Sequence, residues 1–82
     1  MERRNEPLMA AFATTLRDRR TSAGLTQESL AERADLSVRA ISFFETAKRQ
    51  PTLSALAAIC RGLGVEMVDL IGDLDLNYRK DR

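Results

Sequence analysis

The sequence predicts an all-α fold, a bundle of about five helices, on three observations. Apolar residues recur at three- and four-residue spacing over most of the chain, as in Leu8, Phe12 and Leu16, or Leu53, Leu56, Ile59 and Leu63. Residues that start helices stand ahead of those runs, at Thr26, Ser37 and Thr52, while Gly24, Pro51, Gly64 and Gly72 stand where helices would stop. Strand-like alternation occurs only at the end, over Leu74, Leu76 and Tyr78.

In chain order, residues 1–6 are polar and read as a flexible N-terminus. Pro7, whose fixed φ suits a first helical turn, opens helix one with Asn5 or Glu6 as its cap. Leu8, Phe12 and Leu16, with Met9 and Ala13 beside them, form the buried face; Arg17, Asp18 and Arg19 face solvent, and Gly24 ends the helix. Leu25 fills the space between helices one and two.

The stretch Thr26–Glu45, TQESLAERADLSVRAISFFE, organises the rest: two short helices joined by a tight turn. Thr26 caps the first, with Ser29 where a full capping box carries an acid, and Leu30, Ala31 and Ala34 share its inner face. Asp35 takes the turn, where a left-handed backbone is commonly needed and Asp tolerates it better than most residues. Leu36 plugs the turn, Ser37 caps the second helix, and Ile41 with Phe44 faces inward. The segment TAKRQPT then forms a loop that Pro51 keeps from continuing the helix.

Thr52 or Ser54 caps helix four, with Leu53, Leu56, Ala57, Ile59, Cys60 and Leu63 as a broad apolar face that ends at Gly62 and Gly64. A short fifth helix starts near Glu66 and stops at Gly72. Residues 73–82 form a C-terminal tail, either an extended arm or a disordered end, which puts the domain at residues 7–72.

At 82 residues, 44% hydrophobic and 30% charged, the chain is expected to be one small globular domain without room for a separate catalytic unit. The net charge is only +1, so any basic surface has to come from uneven placement of Arg and Lys. Cys60 is the single cysteine, which excludes an internal disulfide and suits a reducing cytoplasm, and with no histidine the usual zinc constellations are excluded. Its place on the apolar face of helix four makes it a core residue. No glycine-rich phosphate loop, thiol–base pair or metal cluster is visible, so no catalytic residue, metal or cofactor is expected. Neither a membrane span nor an apolar leader core is present, which points to a cytoplasmic protein.

The string GLTQESLAERADLSVRAISFFE resembles the helix-turn-helix of the Cro/CI-type (XRE) family of phage and bacterial repressors, and LRDRR and QPTLSALAAICRGLGV resemble its flanking helices. The resemblance implies a lambda-repressor-like DNA-binding domain. Three residues depart from the family pattern: Asp35 and Ala47 stand where Gly is common, and Phe43 is an unusual outward residue.

A helix of this kind fits the DNA major groove, whose base edges differ for each pair. With Ile41 and Phe44 inward, Val38, Arg39, Ser42 and Phe43 are the candidate base contacts. Arg39 is the strongest, since a guanidinium can bind guanine N7 and O6 together; the bland reading is a solvated arginine. Val38 and Phe43 either touch thymine methyls or form an exposed apolar pair. Gln27, Ser37, Lys48 and Arg49 are the candidate phosphate contacts, Gln27 because the resembled family uses that position so, and Lys48 and Arg49 because they follow the reading helix. The resemblance also implies a structural ion pair between Arg20 and Glu45.

The expected function is a sequence-specific transcriptional regulator that binds a palindromic double-stranded DNA operator as a homodimer, with two reading helices about 34 Å apart. Met67, Val68, Leu70 and Ile71 are the expected dimer interface, joined by Leu74, Leu76 and Tyr78. Free-standing proteins of this type resemble restriction-modification controller proteins, Cro-like repressors and antitoxins, and an autoregulatory controller is the favoured type. The alternative is a protein-interaction module that uses the same fold to hold a protein partner, such as a toxin.

Overall fold

The structure, a computed structural model, describes residues 5–80. It contains five helices, α1 (Glu6–Ser22), α2 (Gln27–Ala34), α3 (Val38–Glu45), α4 (Leu53–Leu63) and α5 (Met67–Lys80), and no strand among the described residues.

Side-chain oxygens start four of them. Asn5, Thr26, Ser37 and Thr52 each accept from the backbone N–H three residues on, satisfying a donor that the first helical turn leaves open. At α2 the bond is reciprocal, because the Ser29 hydroxyl receives the Thr26 N–H at 2.9 Å. Ser29 thus completes the capping box without a carboxylate. The expectation of a loose N-terminus falls mainly on residues 1–4, outside the described residues; Asn5 is the cap and Glu6 the first residue of α1.

One device ends α1 to α4: a left-handed residue that lets two N–H groups turn back onto the last helical carbonyls, as in a Schellman motif. Gly24, Asp35, Ala47 and Gly64 take this position with φ of 73°, 57°, 59° and 72°. The bonds after α2 run from Asp35 N to Glu32 O at 3.3 Å and from Leu36 N to Ala31 O at 2.9 Å, and the other three reversals repeat the pattern. Leu25, Leu36 and Val65 follow the left-handed residue in three cases and pack against the core. The fourth is followed by Lys48, which is exposed.

Phe12 and Leu16 from α1, Leu30 from α2, Ile41 and Phe44 from α3, Ile59 and Leu63 from α4 and Leu70 from α5 form one core. The Phe12 and Phe44 rings meet edge to face, with centroids 6.3 Å apart. Where α2 crosses α4, Gly62 is buried inside the helix rather than ending it, and a Cβ there would lie 3.0 Å from Leu30 Cδ1 and 3.1 Å from the Ala34 backbone N. Arg33 Nε donates to Gly62 O at 2.7 Å and Arg61 Nη2 to Ala34 O at 3.3 Å across the same crossing. The apolar face of α4 is narrower than its composition suggests. Leu53 and Ala57 are exposed, and Ala58 is buried instead.

The largest departure from expectation is α5, which runs through Gly72 to Lys80 instead of stopping. Tertiary contacts hold residues 73–80 helical. Asp73 receives Arg19 Nε at 2.5 Å, Asn77 Nδ2 donates to Thr15 Oγ1 at 2.7 Å, and Asn5 Nδ2 donates to Tyr78 Oη at 3.3 Å. The apparent period of two in the tail was a helical stripe seen in part: Leu70 and Leu74 face the core at four-residue spacing, while Leu76 is exposed.

Candidate nucleic-acid interface

The interface is built on α3. Ile41 and Phe44 are buried, so the two-turn helix presents Val38, Arg39, Ser42 and Phe43 on its other side. Arg39 and Val38 are exposed, while Ser42 and Phe43 are half-buried. Ser37 accepts the Ala40 N–H at 3.0 Å, and its hydroxyl proton remains able to reach a phosphate oxygen.

A buried polar cluster fixes α3 against α1 and α2. The Glu45 carboxylate, 4% exposed, accepts Arg20 Nε at 2.6 Å, Arg20 Nη2 at 3.0 Å and Gln27 Nε2 at 3.1 Å. Arg20 Nη1 donates to Leu25 O at 2.9 Å. The hydrogen bonds that Arg20 donates to Glu45 hold its guanidinium above its ordinary range against the opposing effect of burial. The Arg20–Glu45 pair anticipated from the resemblance is therefore present, and Gln27 joins it. One amide hydrogen of Gln27 is committed inward, to the Glu45 carboxylate.

This arrangement answers the weak net charge. From Ser37 to Gln50 the cations are Arg39, Lys48 and Arg49, and the one carboxylate is Glu45, turned inward against Arg20. The outer surface of α3 and its loop is locally basic, while α5 and the residue before it carry Glu66, Asp69, Asp73 and Asp75 against Arg79 and Lys80. The loop is tied to the helix end by Lys48 N donating to Phe43 O at 2.9 Å and Thr46 Oγ1 donating to Ser42 O at 2.8 Å. As a result, the Arg39 and Arg49 guanidinium carbons lie 5.2 and 5.1 Å from the centroid of the Phe43 ring. Arg39 and Phe43 are four residues apart on one helix, a spacing the sequence shows; the return of Arg49 to the same ring depends on the left-handed turn at Ala47.

On α5, Met67, Val68 and Ile71 are exposed, as is Leu76. Leu70, expected among them, has no exposed surface at all: it faces inward and packs in the core, so it is not available to a second chain. Leu74 likewise packs inward, and Tyr78 is half-buried. No helix of the described residues is long and apolar enough to cross a membrane.

The helix-turn-helix family profile matches residues 16–70. The chain is 39% identical over 62 residues, covering 76% of its own length and 90% of the relative's, to an uncharacterized HTH-type transcriptional regulator of Methanothermobacter thermautotrophicus. Among solved structures it is similar to the wild-type restriction-modification controller protein C.Esp1396I, with a TM-score of 0.83 and 30% identity over 89% of this chain and 95% of that one. It is also similar to C.Esp1396I bound to a 19 base pair DNA duplex, with a TM-score of 0.80 and 30% identity over 85% of this chain and 93% of that one. The tetramer of that controller protein in complex with its natural 35 base-pair operator matches with a TM-score of 0.82 and 29% identity over 88% of this chain and 95% of that one. The capped pair of helices, the buried Arg20–Glu45 tie and these likenesses agree: the chain belongs to the XRE-type helix-turn-helix family of transcriptional regulators.

Proposed function

We propose that this protein binds a palindromic operator as a homodimer and regulates its own transcription, in the manner of a controller protein. The observation that carries this reading is the outer face of α3 with its loop, where Arg39, Lys48 and Arg49 cluster while the one carboxylate of the segment, Glu45, is turned inward against Arg20, on a scaffold shared with an operator-bound controller protein. Arg39, with Val38, Ser42 and Phe43 around it, reads base edges; Gln27, Ser37, Lys48 and Arg49 meet phosphates and set the register. None of these roles involves a reaction.

The proposed dimer surface is the exposed face of α5. Met67 and Ile71 share one row at four-residue spacing, and Val68, Gly72 and Leu76 share the next. Gly72 supports this placement. A Cβ there would meet nothing within 4 Å, so nothing inside the monomer requires a glycine in mid-helix, where it costs roughly 0.5–1 kcal/mol relative to alanine.

Salt dependence of binding tests the reading. Two loop cations per protomer, Lys48 and Arg49, give a dimer about four neutralised phosphates and a log–log slope of about −3.6, with Gln27 and Ser37 adding neutral contacts. Lys48→Ala should reduce that slope by about 2 for the dimer, uniformly across sequences. Salt-independent binding, or no binding to any duplex, would instead favour a module that holds a protein partner, which the net charge of +1 would suit.

A further inference from the structure

We propose that Phe43 is a positioning residue that holds the base-reading Arg39 and the loop Arg49 on one aromatic platform, so that both guanidinium groups meet the duplex already ordered. The inference rests on the operator-binding reading above.

Two arginines with guanidinium carbons at most about 10 Å apart repel each other, and an exposed arginine samples many rotamers. A ring whose faces are electron-rich offsets both costs, because each cation lies near enough to its centroid to be attracted. The ring itself is anchored. Phe43 is half-buried, and its carbonyl receives the Lys48 N–H that closes the turn carrying Arg49. Its attachment to a base reader on the helix and to a backbone-contacting residue in the loop couples the two roles. A ring engaged by two cations in the free protein is poorly placed to meet a thymine methyl as well, which is the role that position alone suggests.

The test has a DNA-free arm and a DNA-bound arm. In the free protein, proton spectra of the Arg39 and Arg49 side chains should show ring-current shifts that vanish in Phe43→Leu and persist in Phe43→Tyr. On the duplex enriched from a random pool by the parent protein, Phe43→Leu should weaken binding by about three- to tenfold, with the melting temperature nearly unchanged, and Phe43→Tyr should stay within about twofold of the parent. In an Arg39→Ala/Arg49→Ala background the Phe43→Leu loss should shrink to less than about twofold, because no cation is left to position. Absent ring-current shifts, or a Phe43→Leu loss that persists in that background, would overturn the proposal, the second by making the ring a direct base contact. Failure of the parent to enrich any duplex would overturn the operator reading instead, and the ring-current arm would still decide whether Phe43 holds the two arginines.

Discussion

Replacing Glu45 with alanine should loosen α3 from its support, and the structure sets the size of the effect. The carboxylate is buried and receives three hydrogen bonds, two from Arg20 and one from Gln27. Its removal leaves the Arg20 side chain, only 13% exposed, with a positive charge and the Leu25 carbonyl as its remaining acceptor. Breaking one side of a buried pair costs about 3–5 kcal/mol, and the residual exposure and the bond to Leu25 O place this case near about 3 kcal/mol. A domain of 82 residues has roughly 4–12 kcal/mol in total. The melting temperature should therefore fall by about 12–24 °C, at about 4–8 °C per kcal/mol for a domain of this size. Glu45→Gln, which keeps one acceptor oxygen for Arg20, should cost less, about 1–2 kcal/mol. Thermal unfolding followed by circular dichroism reads both. A Glu45→Ala variant melting within about 3 °C of the parent would refute the claim that this pair holds α3 in place.

Four further outcomes follow from particular residues. Ala47→Gly should raise stability by about 0.5–1 kcal/mol in denaturant titration, because alanine at φ 59° is strained and glycine is not. Gly62→Ala should lower it by about 1–3 kcal/mol in the same assay, since the Ala34 backbone N, 3.1 Å from the added carbon, cannot give way as a side-chain end can. Gly72→Ala should separate fold from assembly: monomer stability rises by about 0.5–1 kcal/mol, while sedimentation shows weaker self-association if Gly72 lies at the α5 contact. Burial pushes the Cys60 thiol up from its ordinary range, so the unfolded chain ionises first and stability drops as pH rises past the unfolded thiol's range. Cys60→Ala should flatten that alkaline fall between pH 8 and 10, by roughly the thiol's share of the proton linkage, in chemical denaturation run across pH.

The helix-turn-helix was legible because its signals are local. Thr26 and Ser37 bond to N–H groups three residues away, Asp35 turns left-handed where a turn was expected, and Ile41 and Phe44 lie on the face their spacing implies. The length of α5 was not legible, because it is decided at a distance. Gly72 is a weak helix former, and residues 73–80 stay helical through partners 54, 62 and 73 positions away, namely Arg19, Thr15 and Asn5. The same blindness placed Leu70 on an outer face, since once the helix continues Leu70 and Leu74 form its inner stripe. At the interface, residue types and spacing pointed to Arg39, Lys48 and Arg49, but the meeting of two of them on Phe43 needs the fold of the loop. The bond from Gln27 to Glu45 is of that kind too, because it joins two helices at a carboxylate for which the resemblance implied Arg20 as the partner and not Gln27.

The central claim is that α3 reads base sequence through Arg39 in a twofold assembly. Selection of bound duplexes from a random pool, by the parent protein and by Arg39→Ala in parallel, tests it most directly. The parent should enrich an inverted repeat, and the variant should lose about 1–3 kcal/mol of preference at one symmetric pair of positions, with the other positions retained. Enrichment of a repeat that Arg39→Ala leaves unchanged, or no enrichment by clean and folded protein, would contradict it.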